Sequence, residues 1–247
     1  MGRIAILKVG TTLPSLISQK GDFEDWISAG MELAKDEKIV IDVQNGAALP
    51  AYEELTGTVI TGSHANVTEH HKWSERLAEW LPGAVERRIP ILGICYGHQL
   101  LAYALGGEVG DNPKGWEFGT IDIHLTSAAH GDALLGGLET PIKVHVTHTQ
   151  AVLRLPEKAR RLACSEKDGN QAFAIGDFVW GVQFHPEYDA GVVKEYIGHY
   201  REMLRRQGQD SDELMARSVD TVYGGTILRR FAALVNKRKG SQSGFEL

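Results

Sequence analysis

Residues 90–107 read Pro-Ile-Leu-Gly-Ile-Cys-Tyr-Gly-His-Gln-Leu-Leu-Ala-Tyr-Ala-Leu-Gly-Gly, and the architecture of the chain can be worked out from this stretch. Its first five residues form a short, bounded apolar run, which is typical of a strand buried on both faces. A helical pattern begins at Tyr96 and ends at Gly106 and Gly107, because glycines of this kind terminate helices. A buried strand that passes directly into a helix indicates a sheet of mostly parallel strands covered by helices.

The turn between this strand and the helix carries Cys95, with Gly93 and Gly97 two residues to either side. That arrangement matches a nucleophile elbow, a turn so tight that neighbouring side chains would crowd it. The thiol would lie at the N-terminus of the helix, where unsatisfied amides favour the thiolate and can stabilise an oxyanion. The pentapeptide alone also fits a cysteine that is merely a small buried hydrophobe.

A base for such a thiol is predicted at the end of another strand. Residues 179–187 read Val-Trp-Gly-Val-Gln-Phe-His-Pro-Glu, which would bring His185 to the edge of the sheet. Cysteine nucleophiles of this kind need an imidazole within hydrogen-bond reach and a third group that orients it. Glu187 can accept a hydrogen bond from one ring nitrogen and leave the other facing Cys95. An ordinary surface His-Pro-Glu turn is the alternative, but two such motifs at strand exits favour catalysis.

The first half of the chain alternates short apolar runs with segments of helical period. This pattern predicts a three-layer α/β fold, with helices on both faces of a mostly parallel central sheet. The second half changes to shorter strands, and the period at Ile121–Leu125 is that of a half-exposed strand. We interpret this half as an antiparallel extension whose other strands are Ile142–Val146, Arg161–Cys164, Gln171–Ile175 and Phe178–Gln183.

Length and composition limit the domain organisation and the function classes. The 247 residues, 43% of them hydrophobic, suit one α/β domain with extensions. We expect a domain over residues 1–200 and a helical extension over residues 201–247 that packs on it, with the last dozen residues mobile.

The net charge of −6 disfavours general binding to nucleic acid or anionic membranes, and no apolar run is long enough to span a membrane. The 2 cysteines argue against a disulfide framework, which predicts a reducing cytoplasm.

Three motifs together resemble one family, the class I or triad glutamine amidotransferases. They are Val59-Ile-Thr-Gly-Ser63, Gly93-Ile-Cys-Tyr-Gly-His-Gln-Leu-Leu-Ala102 and Gly181-Val-Gln-Phe-His-Pro-Glu187. The likeness covers residues 1–200 and implies the fold of that family, which has a flavodoxin-like core. The chain is similar to the amidotransferase domain of GMP synthetase, and Lys114–Glu117 and His185–Tyr188 also resemble stand-alone γ-glutamyl peptidases.

The resemblance implies the chemistry residue by residue. Cys95 corresponds to the nucleophile that attacks the side-chain amide of glutamine, forming a γ-glutamyl thioester and releasing ammonia. His185 corresponds to the general acid and base, and Glu187 to its orienting partner. We expect neither a metal ion nor a cofactor, and the adjacent His70 and His71 would diverge on a helix and make a poor metal site.

Further positions are implied for the oxyanion hole and for the substrate. The backbone amide of Tyr96 and one from the turn of Gly62 and Ser63 would hold the oxyanion. The positions that meet the amino-acid end of glutamine correspond to Gln99, Thr147 and His148. The chain departs from the GMP synthetase pattern at Thr149-Gln150, where Gly-Asp is usual, so an acidic partner for the α-amino group is absent from that position. A larger or differently charged γ-glutamyl substrate is therefore an alternative.

These observations leave three functions open: a glutaminase that releases ammonia, a hydrolase of γ-glutamyl peptides or amides with the same triad, and an inactive regulatory module. The intact Cys95, His185 and Glu187 disfavour the last. After Glu187, 60 of the 247 residues remain, too few for the ATP-dependent synthetase domain that GMP synthetase carries. The expected partners are glutamine or another γ-glutamyl substrate and, for the first function, a separate synthetase or acceptor protein. Neither nucleic acid nor a membrane is expected.

Overall fold

The computed structural model describes residues 2–242 of the chain. Within that range the strands are β1 (Arg3–Lys8), β2 (Lys38–Asp42), β3 (Leu55–Ile60), β4 (Ile91–Ile94), β5 (Glu108–Asp111), β6 (Glu117–Leu125), β7 (Ile142–His148), β8 (Gln150–Arg154), β9 (Arg160–Cys164), β10 (Ala172–Ile175) and β11 (Val179–Val182). The helices are α1 (Pro14–Lys20), α2 (Phe23–Gly30), α3 (Lys72–Glu86), α4 (Tyr96–Ala104), α5 (Ala190–His199), α6 (Arg201–Arg206), α7 (Ser211–Arg217) and α8 (Tyr223–Gln242).

Most of these strands form one 9-stranded sheet, in the order β2-β1-β3-β4-β11-β10-β9-β6-β7. The strands from β2 to β11 run parallel to one another, and those from β10 to β7 are antiparallel to their neighbours. The remaining strands, β5 and β8, pair as a separate antiparallel ribbon that the sequence did not predict. The predicted α/β fold, with a parallel core and an antiparallel extension, is confirmed.

One strand predicted in the extension lies at the junction between the two parts of the sheet. The sequence pattern places residues 178–183 in the antiparallel extension, but β11 pairs in parallel with β4, with Gly181 opposite Gly93. That prediction agrees with the antiparallel pairing of β11 with β10 but misses the parallel pairing with β4, because β11 is buried along its whole length and shows no alternation that would distinguish the two parts of the sheet. The parallel pairing brings the carboxyl ends of β4 and β11 together at one edge of the sheet.

Helices cover both faces of the sheet because alternate residues of a strand point in opposite directions. In β1, Ile4 and Ile6 pack into the core that includes α2 and α8. Ala5 and Leu7 point the other way, into the core that includes α3 and α4. A third cluster joins α1, α2 and α5 around Phe23. The result is the predicted three-layer arrangement.

The C-terminal helix α8 contributes fully buried side chains to the core. These side chains are Ile227, Leu228, Phe231 and Val235, and Gly57 of β3 lies directly against Val235. The last dozen residues, which we expect to be mobile, begin inside this helix; it continues to Gln242, and residues 243–247 lie outside the described residues. Although α8 is 20 residues long, no helix in the described range has the apolar length needed to cross a membrane.

Candidate active site

Cys95 lies in the tight turn between β4 and α4, in a backbone conformation that is unusual for a residue with a side chain. Its φ is 51° and its ψ is −101°, and such strain, about 1–3 kcal/mol, persists only where the surroundings impose it. Gly93 and Gly97 allow the turn to close. A Cβ on Gly93 would collide with the carbonyl oxygen of Gly97, and one on Gly97 would lie 2.5 Å from that of Ile60. The structure therefore contains the elbow that the sequence predicts.

His185 and Glu187 follow β11 and lie at the same edge of the sheet as Cys95. Nδ1 of His185 is 2.7 Å from Oε1 of Glu187, and both side chains are almost completely buried. Because an ionised carboxylate only accepts hydrogen bonds, Nδ1 carries a proton and Nε2 is left for Cys95. The backbone amide of His185 also donates to the carbonyl oxygen of His145 at 2.8 Å, which ties this segment to β7.

The surroundings of His185 favour its protonated form. Burial opposes the charge on the ring, but the charges of Glu187 and Cys95 and the hydrogen bonds to both outweigh it and raise the pKa of His185 to about 10. The Tyr188 ring stacks on the imidazole with 3.9 Å between centroids, an arrangement that suits a cation over an aromatic face. An imidazolium in this position can stabilise a neighbouring thiolate and donate a proton to a leaving group.

The turn after β3 brings the backbone close to these side chains. A Cβ on Gly62 would lie 3.0 Å from Cε1 of His185 and 3.8 Å from Cβ of Cys95, so a larger residue there would push the ring. Ser63 follows and lines the same cavity as Cys95. Tyr96 is the first residue of α4, so its amide has no acceptor within the helix and can meet an oxyanion. The structure thus places the predicted oxyanion positions around Cys95.

The cavity beside Cys95 has a volume of about 280 Å³ and is lined by every predicted substrate position: Gln99, Thr147 and His148. Gln99 is buried, and its side-chain amide donates to the carbonyl oxygen of Gln150 at 2.9 Å and to Oε1 of Gln183 at 3.0 Å. Gln183 in turn donates to Sγ of Cys95 at 3.7 Å. The donors of Gln99 therefore act within the protein and support the thiol through Gln183. The sequence did not single out Gln183, although it precedes His185 by only two positions in the same motif.

His148 forms a second buried ion pair beside the cavity. Its Nε2 is 3.0 Å from Oε2 of Glu117, and its Nδ1 is 2.8 Å from the carbonyl oxygen of Gln150. Burial opposes the charge on the ring, but Glu117 outweighs it and raises the pKa of His148. Because both ring nitrogens face acceptors, the ring is held as an imidazolium. Glu117 was not predicted as a site residue, although it belongs to the Lys114–Glu117 motif.

Among the described residues, three further histidines have no catalytic or metal-binding arrangement: one is buried in α4 and two are paired with carboxylates. His98 of α4 is completely buried, and burial lowers its pKa to about 3, so it stays neutral and makes a poor second base near neutral pH. His70 and His71 each lie 2.8 Å from a carboxylate, those of Glu75 and Glu69. Across residues 2–242, no group of three His, Cys, Asp or Glu side chains is placed to hold a metal ion.

Comparisons with known proteins identify the family. The model described as glutamine amidotransferase class-I matches residues 34–198. The glutamine-hydrolyzing GMP synthase of Aeropyrum pernix is 39% identical over 142 residues, 58% of this chain and 25% of that protein. Gamma-glutamyl peptidase 3 of Arabidopsis thaliana is 31% identical over 181 residues, 71% of this chain and 72% of that protein. The crystal structure of a glutamine amidotransferase from Thermotoga maritima matches 95% of this chain and 99% of its own, with a TM-score of 0.75 and 22% identity.

The chain therefore belongs to the class I glutamine amidotransferase family, as its motifs predict, and it is an enzyme of the amidotransferase or hydrolase type. It spans about a quarter of the length of the GMP synthase that it matches and nearly three quarters of the γ-glutamyl peptidase.

Proposed function

We propose that this enzyme hydrolyses γ-glutamyl amides, glutamine among them, through a thioester on Cys95. The proposal rests on the buried line of Glu187, His185 and Cys95. Glu187 contacts the imidazole at 2.7 Å, and the charge of the sulfur is among the causes that raise the pKa of the same ring. The amide of Tyr96 and the turn of Gly62–Ser63 supply the oxyanion site that such a reaction needs.

The residues of this line account for every proton in the reaction. The thiol proton already lies on His185, and the thiolate Sγ of Cys95 attacks the carbonyl carbon of the amide. The C–N bond breaks as the imidazolium gives its proton to the leaving nitrogen. Water then adds to the thioester carbonyl while His185 takes one of its protons. The C–S bond breaks, and the thiolate is left beside the protonated His185, so the products are glutamate and the amine.

With glutamine as the substrate the released amine is ammonia, and a separate synthetase or acceptor protein would use it. The similarity to a protein named GMP synthase supports this arrangement. A reducing compartment such as the cytoplasm would keep Cys95 a free thiol for the reaction.

A second candidate is the hydrolysis of γ-glutamyl amides larger than glutamine, without transfer of ammonia. The cavity favours this second reaction. Part of the cavity wall is made of the large rings of Trp116, Phe118, Tyr196 and Tyr200, and glutamine has no group that would contact these rings. The similarity to a γ-glutamyl peptidase along most of the length of both chains also supports it.

Release of glutamate by the purified protein tests the shared chemistry. Cys95→Ala is expected to lower release from glutamine or any γ-glutamyl amide by about 10³-fold or more, since it removes the nucleophile. Cys164→Ala removes the other free thiol, half-buried in β9, and should leave release unchanged. The mass of protein quenched during turnover should show a glutamyl adduct in the wild type and none in Cys95→Ala. Undiminished release by Cys95→Ala would contradict the proposal.

A further inference from the structure

A continuous row of aromatic rings runs from the candidate general acid into the cavity. The rings belong, in order, to His185, Tyr188, Tyr196, Tyr200, Phe118 and Trp116. Successive centroids are 3.9, 5.4, 6.4, 5.6 and 5.9 Å apart, which are the spacings of rings in contact. The last four rings line the cavity that contains Cys95, so they present one apolar wall to a bound molecule.

Hydrogen bonds hold this wall in place. The hydroxyl of Tyr196 lies 2.9 Å from Oγ1 of Thr12 and 3.1 Å from Nε2 of His64. The carbonyl oxygen of Trp116 accepts from Nζ of Lys167 at 2.8 Å. The ring of Tyr196 and the backbone of Trp116 are therefore held before a ligand arrives, and a pre-organised wall binds a ring with little loss of side-chain freedom.

Because the row of rings begins at His185, the role of that residue indicates which half of the substrate meets the rings. The general acid has to reach the leaving nitrogen, so a substituent on that nitrogen enters the cavity, where Tyr196 and Tyr200 are the first rings of the row that line it. The polar part of the cavity, formed by Gln99 and the segment Thr147–Gln150, is left for the amino-acid end of the γ-glutamyl group. Ammonia has no substituent, and its departure would leave the rings without a contact.

The charges around the cavity limit the kind of substituent. Of the described residues that line it, none is Lys, Arg, Asp or Glu, and the charge on His148 is matched by Glu117 at 3.0 Å. An amino acid or peptide as the leaving group carries a carboxylate, which proteins pair with Arg or Lys. The wall offers such a carboxylate neither Lys nor Arg, whereas an aromatic group would pack against its rings.

We propose that the preferred substrate is a γ-glutamyl amide of an arylalkylamine, whose ring packs against Tyr196, Tyr200 and Trp116. The inference rests on the proposed thioester chemistry. Cys95 attacks the γ-carbonyl carbon, the C–N bond to the arylalkylamine breaks, and the nitrogen leaves with the proton of His185. Water then cleaves the thioester to glutamate, so no further reactant is needed.

A comparison of γ-glutamyl amides tests this specificity. The quantity to measure is kcat/KM for glutamate release from γ-glutamylphenethylamide, γ-glutamylethylamide, γ-glutamylglycine and glutamine. The first two both expel an alkylamine and differ by the aromatic ring. The phenethylamide is expected to exceed the ethylamide by about tenfold or more, the discrimination that an apolar pocket gives. γ-Glutamylglycine is expected to be the poorest of the substituted amides.

Variants of two tryptophans link the preference to the wall. Trp116→Ala should lower the ratio of the phenethylamide and ethylamide kcat/KM values about fivefold or more. Trp80→Ala is the matched control, because Trp80 is also half-buried but stacks on Tyr52 at 5.0 Å and does not line the cavity. It should preserve the ratio, and melting curves of both variants verify that each folds. The wild-type comparison decides the question even if Trp116→Ala does not fold.

The outcomes separate this inference from the proposed function. Glutamate release from glutamine, with no advantage for the phenethylamide over the ethylamide, would overturn the inference and leave the proposed function standing. Highest activity on γ-glutamylglycine would overturn it as well, since a carboxylate would then be preferred. Release of glutamate from none of the four substrates would reject both.

Discussion

Glu187 is placed to control how His185 titrates. Its charge is among the causes that raise the pKa of His185 to about 10, so Glu187→Gln should lower that pKa. A reaction that needs the imidazolium proceeds below the pKa of His185 and is lost as the pH rises through it. The alkaline limb of the kcat profile should therefore move to lower pH, with kcat reduced by about 10²-fold or more. Glu195→Gln, on the exposed face of α5, should leave the profile unchanged, and an unmoved limb in Glu187→Gln would contradict the assignment.

Gly62 sets how closely the backbone approaches the imidazole. The Cβ of Gly62→Ala would lie 3.0 Å from Cε1 of His185, so the ring has to shift by a few tenths of an ångström. Displacements of catalytic groups lower rates steeply, and we expect kcat to fall by about 10- to 100-fold. Gly131→Ala is the control, because a Cβ there meets nothing within 4 Å. Equal kcat values for the two variants, both with wild-type melting curves, would show that the close approach is unimportant.

The pairing of β6 with β7 places Glu117 directly opposite His148 and forms their buried ion pair. The pKa of His148 is raised in the folded protein by Glu117, against the effect of burial. The stabilisation is therefore complete below the unfolded pKa of about 6.5 and is lost as the pH rises through the folded value. We expect Glu117→Gln to reduce the free energy of unfolding by about 3 kcal/mol near pH 6, and by less as the pH increases.

The same two strands provide the control for that experiment. Asp122 lies opposite Lys143, with 2.9 Å between Oδ1 and Nζ and both side chains about half exposed. Asp122→Asn should change the free energy of unfolding by less than about 1 kcal/mol, because water screens such a pair. Chemical denaturation of each variant at several pH values measures the difference. A pH-independent effect of Glu117→Gln would contradict the charged state of His148.

Elements with a local pattern could be predicted from the sequence, whereas contacts between distant segments could not. The passage from β4 to α4 depends on glycines two residues from Cys95, and both are visible in the chain. The parallel direction of β11 depends on its partner β4, and a short strand buried on both faces carries no sign of it. The contact of Gln183 with Cys95 joins residues 88 positions apart. Gln183 therefore became a site residue only when the fold was known.

The C-terminal helix connects three regions of the molecule. Glycines of two other segments lie against it: a Cβ on Gly30 of α2 would collide with Leu228, and one on Gly57 of β3 would lie 2.7 Å from Val235. The start of α8 lies directly against the site, because a Cβ on Gly224 would collide with the carbonyl oxygen of Pro186. Pro186 stands between His185 and Glu187. The packing of α8 on the sheet therefore supports the backbone that presents both side chains.

Gly224→Ala tests whether this support reaches the chemistry. The added methyl would push Pro186 and disturb the 2.7 Å contact of His185 with Glu187, and we expect kcat to fall by about tenfold or more. Gly225→Ala is the control, because a Cβ there meets only the flexible guanidinium of Arg229, at 3.1 Å. Since alanine is also favoured in helices by about 1 kcal/mol, that variant should be at least as stable as the wild type and fully active. A Gly224→Ala protein with wild-type kcat would show that α8 and the His-Pro-Glu segment are not coupled.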